Sequence, residues 1–421
     1  MPGKSGRLKA AGWSAVALVA TLVFHYTISQ FLRNSVAVIA PDLVVELSLS
    51  AAELGLLSSA FFLVFASVQL PLGVALDRFG PKRCMLAGAG ITVAGILVFA
   101  FAGGPFGLTA GRALMGIGCS VSLVGPLALY AQLFSSDRFA TLTGLQIGFG
   151  NIGTLFATAP LALATAAFGW RNSFLGAAAI TLLAALAVAF VVKEEVAGPA
   201  PIKHRETFAE NLAGILAVFR TPSVWRLYFM QFAGYSSFAL LIGLWGGPYL
   251  THIYGFDLAA RGDLLFIGVV GMAVGSIAWG PTDRLFRSYK RPVLLGASLT
   301  GACLMTLAFF GALPRPLLPV WFAALGAFNG YAVLLFAQGR TLFPPHLVGR
   351  GLTLLNAGAM SGVFVTQILS GLVIDAFPAE PGGAYPLDAY RLIFALQAML
   401  LFLACWPYLR SPDAWRGKEK P

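Results

Sequence analysis

The stretch GVALDRFGPKR, residues 73–83, places three cations, one carboxylate and two glycines between two long apolar runs. The preceding run begins near residue 52, and the following run extends to about residue 103. A helix needs about twenty apolar residues to cross the roughly 30 Å of hydrocarbon in a bilayer. The stretch is therefore typical of a polar turn that joins two membrane-spanning helices.

The composition extends this interpretation to the whole chain. Of the 421 residues, 58% are hydrophobic and only 11% are charged, and the mean hydropathy is +0.81. Soluble domains carry about 25% charged residues, so one water-soluble core cannot bury this much apolar surface. The composition predicts an integral membrane protein and excludes an ordinary soluble enzyme.

Twelve apolar runs are long enough to span the bilayer. They are continuous, whereas the strands of a membrane barrel alternate between apolar and polar residues. We therefore predict an all-α fold with twelve transmembrane helices. The predicted spans, numbered 1 to 12 in this section, are 12–40, 52–76, 83–103, 106–134, 139–168, 171–192, 223–250, 260–281, 292–312, 316–342, 350–377 and 387–409.

The distribution of lysine and arginine predicts the orientation. With the N-terminus in the cytoplasm, 22 of the 28 cationic residues fall on the inner side, four fall on the outer side, and Arg33 and Arg112 fall inside spans. Inner loops of membrane proteins carry such an excess of lysine and arginine. We therefore expect a protein of the inner (plasma) membrane with both termini in the cytoplasm. The net charge of +11 follows from this topology and from anionic lipid heads, and it does not indicate nucleic acid.

Cofactors and covalent cross-links are not expected. The four cysteines, at positions 84, 119, 303 and 405, form no CxxC pair and have no neighbouring histidine, which disfavours a metal site or a disulfide. No Walker-type phosphate loop is present, so ATP-driven transport is not indicated. The first apolar run is too long for a signal peptide core and lacks a cleavage site, so we expect it to remain as helix 1.

A polar segment divides the chain into two halves. The run KEEVAGPAPIKHRET begins at residue 193 and follows six spans. We predict a six-helix half at 1–192, a cytoplasmic linker with a short interfacial helix at 193–222, and a second six-helix half at 223–421.

The two halves repeat one another in order. Asp77-Arg78 ends helix 2, and Asp283-Arg284 ends helix 8, 206 residues later. Pro41 and Pro248, 207 residues apart, are expected to end helices 1 and 7. A parallel repeat of six plus six spans is an architecture of secondary transporters.

The motif at residues 73–83 resembles the loop 2–3 signature of the major facilitator superfamily, G-x-x-x-D-R-x-G-x-[KR]-[KR]. A degenerate copy, GPTDRLFRSYKR, lacks the second glycine, and Arg112 begins a weaker match to a helix-4 arginine motif. The resemblance implies that the Asp77 carboxylate helps to close a cytoplasmic gate by pairing with cations and a helix N-terminus of the other half. The positive-inside rule alone also explains Lys82 and Arg83. The implied gate residues are Gly73, Asp77, Arg78, Gly80, Arg83, Asp283 and Arg284.

Helix 1 carries a polar face made of Tyr26, Gln30 and Arg33 at helical spacing, which should line a central cavity rather than face lipid. The segment FLRNSVAVIAPDL, residues 31–43, resembles helix 1 of the organophosphate and organic-anion branches of the superfamily. That resemblance implies that Arg33 binds the substrate anion, and its planar guanidinium suits a carboxylate. A structural ion pair or a position at the outer surface is the alternative. Helix 7 lacks the second arginine of phosphate-ester carriers, which favours a monovalent carboxylate or a zwitterion.

Five further residues complete the predicted substrate site. Each can equally pack or form an interhelical hydrogen bond. They are Tyr235, Trp245, Asn151, Asn329 and Asn356.

Ion coupling is the least determined property. His25 is the only histidine well inside a span, and Arg112 lies in helix 4, so both are candidates for coupling. The alternative for His25 is a core histidine with satisfied hydrogen bonds. No acidic residue lies near the middle of a predicted span, which disfavours obligate proton coupling. Symport with a proton or another ion, exchange, and facilitated movement stay open.

These features together predict a secondary transporter that moves a small organic anion, with a carboxylate preferred, by alternating access. The alternative is an efflux antiporter for hydrophobic compounds or drugs. A membrane enzyme would need clustered histidines, aspartates or a nucleophile at a membrane face, and the sequence has no such cluster. A receptor of transporter fold is a third class. We expect a monomer whose partners are the substrate, a co-transported ion where one is used, and membrane lipids.

Overall fold

The computed structural model describes residues 12–134, 136–192, 222–342, 348–378 and 384–413, and these residues form helices joined by short turns, with no strand among them. Ten of the described helices are long and apolar enough to cross a bilayer. The second and fifth predicted spans are also helical, but each is interrupted. The prediction of an all-α fold with twelve transmembrane helices is confirmed. The predicted interfacial helix lies outside the described residues.

The first half contains spans α1 to α6. Several spans consist of consecutive helical segments. The last segment of α5 runs directly into α6, and only a kink at Gly169, where φ is +79°, separates the two spans. The segments are Gly12–Asn34 and Val36–Leu47 (α1), Ala51–Ser67 and Gln69–Phe79 (α2), Pro81–Ala100 (α3), Pro105–Cys119 and Val121–Leu133 (α4), Ser136–Gly150, Ile152–Phe156 and 159–168 (α5), and 170–191 (α6).

The second half contains spans α7 to α12, of which α7, α8 and α10 are interrupted like α1, α2 and α4, whereas α11 is continuous. Its seventh span contains a π-helical turn at Leu241–Trp245. The segments are Pro222–Leu240, Leu241–Trp245 and Gly246–Tyr254 (α7), Leu258–Trp279 and Thr282–Phe286 (α8), Lys290–Phe310 (α9), Leu318–Asn329 and Ala332–Leu342 (α10), Val348–Asp375 (α11), and Leu387–Leu409 (α12).

The predicted ends of helices 1 and 7 are wrong. Helix α1 continues through Pro41 to Leu47, and α7 continues through Pro248 to Tyr254. In α7 a new helical segment begins two residues before the proline, where a missing N–H group costs nothing. In α1 the proline leaves the Ala37 carbonyl without its helical donor, and this carbonyl faces α7.

The two halves pack tightly at the ends that the charge distribution assigns to the outside. A Cβ added at Gly247 of α7 would lie 1.8 Å from the Ala37 oxygen of α1, so only glycine allows this approach. Helices α2 and α11 meet in the same way at Gly55 and Gly371, whose added Cβ atoms would lie 3.2 Å from each other's Cα. Gly262 of α8 packs against α5. These three contacts form an outer seal.

The opposite ends of the halves are apart. A Cβ added at Gly73 of α2, or at Gly144 or Gly148 of α5, would meet no atom within 4 Å. Gly73 makes no close helix contact in this conformation, and its implied role in the gate stays a prediction. With the outer seal closed and these inner faces open, the molecule is in an inward-open state under the predicted topology.

Candidate functional site

Arg33 lies on the inner side of the break in α1, and its guanidinium has no polar partner in the described part of the chain. The residue is 8% exposed, and its Nε atom is buried without a hydrogen bond. The only contact of note is with an aromatic ring, because the guanidinium carbon lies 4.9 Å from the centroid of Phe65. None of the ion pairs among the described side chains involves Arg33, so its guanidinium is available to a bound anion.

Arg112 of α4 is fully buried, and it explains the break in α1. Its NH1 donates to the Leu32 carbonyl at 2.5 Å and its NH2 donates to the Arg33 carbonyl at 3.5 Å, while the Ser35 hydroxyl also donates to Leu32 at 3.0 Å. These donors replace the helical N–H groups that a continuous α1 would supply. A cation at the carbonyl end of a helix is electrostatically favourable. Arg112 therefore positions the backbone of Arg33, and its predicted role in coupling stays a prediction.

Two amide pairs tie α1 to α5 beside Arg33. Gln30 Nε2 donates to Asn151 Oδ1 at 2.7 Å, and Asn34 Nδ2 donates to Thr154 Oγ1 at 3.2 Å. Asn151 lies at the interruption of α5 and is exposed, whereas Gln30 Oε1 is buried and without a partner. The pairs fix the α1–α5 distance and leave polar atoms available next to the cation.

Tyr26 and Tyr235 bring the two halves together at this level. Tyr26 is buried on α1 and lies within electrostatic range of both Arg33 and Tyr235 of α7. Tyr235 is half-buried. Tyr26 therefore lies near Arg33, and Tyr235 of the second half lies near Tyr26.

Trp245 belongs to the outer seal rather than to the open cavity. It is fully buried, its Nε1 donates to Ser370 Oγ at 2.7 Å, and its ring centroid lies 6.0 Å from that of Tyr385. Burial raises the pKa of Tyr385 to about 12, and the carboxylates of Asp375 and Glu53 contribute, so this phenol stays neutral. Contact of Trp245 with substrate stays a prediction.

The remaining predicted side chains occupy separate places. Asn329 is buried in α10 and donates to the Gly234 carbonyl of α7 at 2.8 Å. Asn356 is half-buried in α11. His25 Nε2 lies 3.3 Å from Ser122 Oγ of α4, and its Nδ1 is buried without a partner in the described residues. His25 therefore connects α1 to α4.

The gate motif at residues 73–83 forms a turn between α2 and α3, and its ion pairs stay predictions. Gly80 ends α2 with φ +81°, and Pro81 begins α3. The side chain of Asp77 lies outside the described residues, and Arg78 is exposed. Asp283 and Arg284 lie in the short segment Thr282–Phe286. The gating roles of all these residues, and of Arg83, stay predictions.

Sequence reasoning missed an ion pair between the halves and two polar groups. Arg261 of α8 bonds Asp42 of α1 within the outer seal and donates to Thr251 Oγ1 at 3.1 Å. Gln231 Oε1 and the Tyr331 hydroxyl are buried without partners in the described chain. The opposite charges of Asp42 and Arg261 were visible in the sequence, but nothing there brings the outer ends of α1 and α8 together.

An apolar groove lies between the inner parts of α1 and α5. Its volume is about 730 Å³, and Thr27 is the one polar side chain among its lining residues. Phe24 and Phe149, 41% and 54% exposed, present their rings to it. The groove approaches the Gln30–Asn151 pair from the side assigned to the cytoplasm. Any solute that enters it meets hydrocarbon before it meets polar groups.

A family model described as Major Facilitator Superfamily matches residues 22–333 and 227–421. The chain belongs to the Major Facilitator Superfamily. The resemblance inferred from the gate motif is thereby confirmed, and the twelve helices are those of this family's fold.

Two relatives and one solved structure illustrate the similarity. The chain is 26% identical to a probable sulfoacetate transporter of Cupriavidus necator, over 64% of this chain and 65% of that protein. It is 21% identical to a hexuronate transporter of Escherichia coli, over 97% and 96% of the two chains. The fold is similar to the crystal structure of a bacterial homolog of the human lysosomal transporter Spinster, in an inward-facing and unoccupied conformation. That similarity has a TM-score of 0.79 at 17% identity and covers 97% of this chain and 100% of that one.

Proposed function

We propose that this protein is a secondary transporter that moves a small organic anion across the inner membrane by alternating access. In this proposal both termini of the chain lie in the cytoplasm. One observation carries the proposal: Arg33 presents an unpaired guanidinium inside the membrane. The relatives' names, which specify a sulfonate and a hexuronate, support an anion as cargo.

The chemistry of Arg33 favours a carboxylate or a sulfonate of single charge. A guanidinium binds two oxygens of such a group through parallel hydrogen bonds. Arg112 is not available as a second contact for the anion, because it is buried and donates to the carbonyls of Leu32 and Arg33. The amides of Gln30 and Asn151 and the phenols of Tyr26 and Tyr235 supply polar groups for hydroxyls on the cargo.

Ligand-induced thermal stabilisation of the detergent-purified protein tests the proposal. We expect a monovalent sugar acid, glucuronate or galactonate, to raise the melting temperature, and Arg33→Ala to abolish the rise. Arg33→Lys should weaken binding at least tenfold, because an ammonium cannot form the planar two-bond contact. Arg315→Lys is the matched control, since Arg315 also lies over a phenylalanine, with 5.3 Å to the Phe256 centroid, but outside the cavity. Equal affinities in wild type and Arg33→Lys would remove Arg33 from the site.

The efflux alternative has one specific observation in its favour, the apolar groove between α1 and α5. A carrier of hydrophobic compounds would use such a surface for its cargo. Stabilisation by lipophilic cations such as tetraphenylphosphonium, without any response to the anions, would support this alternative and overturn the anion proposal.

A further inference from the structure

A second groove lies on the flank of the second half, between α9 and α12. Its volume is about 520 Å³, and its lining side chains are all apolar. Several of them are largely exposed, since Met399 is 52% exposed, Leu403 61% and Trp406 66%. Exposed apolar side chains in the middle of two spans indicate that the groove faces lipid. The lining residues are Met305 of α9 and Ala395, Met399, Phe402, Leu403 and Trp406 of α12.

The groove is about one leaflet deep. Ala395 and Trp406 lie eleven residues apart, roughly 16 Å along a helix, which is about half of the roughly 30 Å of hydrocarbon. Trp406 lies three residues before the end of α12 at Leu409, the end that the charge distribution assigns to the cytoplasm. The groove therefore fits one acyl chain of the inner leaflet. Lipid chains are as apolar as leucine, so this contact alone selects no particular lipid.

Arg410 places a cation at the cytoplasmic end of the groove. On α12, Met399, Leu403, Trp406 and Arg410 follow one another at intervals of four, three and four residues, so Arg410 continues the exposed stripe. Its guanidinium carbon lies 5.8 Å from the centroid of the Trp406 ring. Tryptophan is typical of the membrane interface, and the arginine stacked on it lies at the level of the lipid head groups.

Arg291 adds a second cation from α9. It is exposed in the first turn of that helix, fourteen residues before Met305 and therefore on nearly the same face. The neighbouring Lys290 ammonium donates to the Leu409 carbonyl at 2.8 Å, which holds the start of α9 against the end of α12. Arg291 and Arg410 thus lie at the same end of the groove. None of the ion pairs among the described side chains involves either of them.

The carboxylate of Asp413 lies at this end of the helices and is already engaged. One of its oxygens accepts a hydrogen bond from the Ser288 hydroxyl, and the other accepts one from the Tyr289 N–H group at 3.0 Å. The two exposed arginines and Lys290 outnumber this one carboxylate. The cytoplasmic end of the groove is therefore positively charged.

We propose that the groove between α9 and α12 binds an anionic phospholipid of the cytoplasmic leaflet, such as phosphatidylglycerol. One acyl chain lies along the groove, and the phosphate lies between Arg291 and Arg410, because a guanidinium binds two phosphate oxygens through parallel hydrogen bonds. Phosphatidylethanolamine carries the same phosphate, but its ammonium group cancels the charge. Each cation near an anionic lipid surface contributes about fivefold in binding, so two cations favour the anionic lipid about 30-fold. The inference does not depend on the cargo.

Quenching of Trp406 by lipids with brominated acyl chains tests the site, since bromine quenches a tryptophan that it touches. The full-length protein is reconstituted in phosphatidylethanolamine bilayers that contain a small, equal fraction of brominated phosphatidylglycerol or brominated phosphatidylethanolamine. The difference between wild type and Trp406→Phe isolates the signal of Trp406. We expect the relative affinity of this position for phosphatidylglycerol to be about 30-fold higher. Equal quenching by the two lipids would overturn the inference.

A double variant, Arg291→Gln with Arg410→Gln, tests the head-group contact. Both positions are exposed, and we expect the preference for phosphatidylglycerol to fall towards one. Arg78→Gln is the matched control and should keep the preference, because Arg78 is also exposed and lies 5.3 Å from the Phe79 centroid, but in the first half. An undiminished preference in the double variant would contradict the proposal. Quenching that disappears as the protein-to-lipid ratio rises would also contradict it, since the groove would then hold a second copy of the chain.

Discussion

The ion pair between Asp42 and Arg261 joins the two halves only when the outer side is closed. Asp42→Asn removes its negative charge while keeping the size of the side chain. Arg261 then retains one described hydrogen-bond partner, Thr251 at 3.1 Å, and its charge stays buried. The substitution should therefore destabilise the inward-open state relative to the outward-open state, in which Arg261 can reach water.

The size of this shift follows from the exposure of the two side chains. Breaking a fully buried pair costs about 3–5 kcal/mol, and an exposed pair contributes about 0.2–1 kcal/mol. The Arg261 side chain is 4% exposed and that of Asp42 is 39% exposed, so we expect a value between these limits, about 2 kcal/mol. That energy corresponds to a change of about 30-fold in the ratio of the two states.

Distance distributions between spin labels at Phe106→Cys and Leu317→Cys measure this ratio. Both positions are exposed at outer ends of different halves, and the four native cysteines must first be replaced. Glu46→Gln is the matched control, because it breaks an ion pair one turn away that stays within the first half. Arg261→Gln added to Asp42→Asn should restore part of the closed population. If Asp42→Asn leaves the distances as in wild type, the pair does not hold the outer seal.

Three further substitutions test separate features. Gly247→Ala should open the outer seal in the same distance measurement, because the new Cβ would lie 1.8 Å from the Ala37 oxygen. The control Gly144→Ala should leave the seal closed, since its Cβ meets no atom within 4 Å. Equal effects of the two substitutions would contradict the tight contact. Arg112→Ala should lower the melting temperature by several degrees, because two carbonyls of α1 lose their donors, and an unchanged value would count against this role. Arg287→Gly should stabilise the folded protein by about 0.5–1 kcal/mol, because Arg287 has φ +49°; a loss of stability would show that its side chain matters more than its backbone.

The number of helices and their order were predictable, because each span is a local property of about twenty residues. The repeat of Asp77-Arg78 and Asp283-Arg284 predicted the family in the same local way. The interruption of α1 was not predictable, because it depends on Arg112, which donates from another helix to the Leu32 carbonyl. Proline alone was a misleading signal for the end of a helix. Pro41 lies inside a helical segment of α1, and the backbone hydrogen bonds of α1 are interrupted six residues earlier, at Ser35.

The candidate site was likewise predictable in part. The polar face of Tyr26, Gln30 and Arg33 follows from helical spacing, and the structure places these residues on one segment of α1. That no described carboxylate pairs with Arg33 depends on which helices are neighbours. The burial of Trp245 against Ser370 of α11 also depends on tertiary packing, since a tryptophan in a span gives no sign of the side to which it turns.

The break at Ser35 divides α1 into two helical arms. One arm carries Arg33 next to its end, and the other arm begins at Val36 and carries Ala37 and Asp42, which close the outside. Asp42 lies nine residues beyond Arg33, roughly 13 Å along a helix. The guanidinium of Arg112 and the hydroxyl of Ser35 both donate to the Leu32 carbonyl at this point, so one buried residue of α4 fixes the place where the two arms meet.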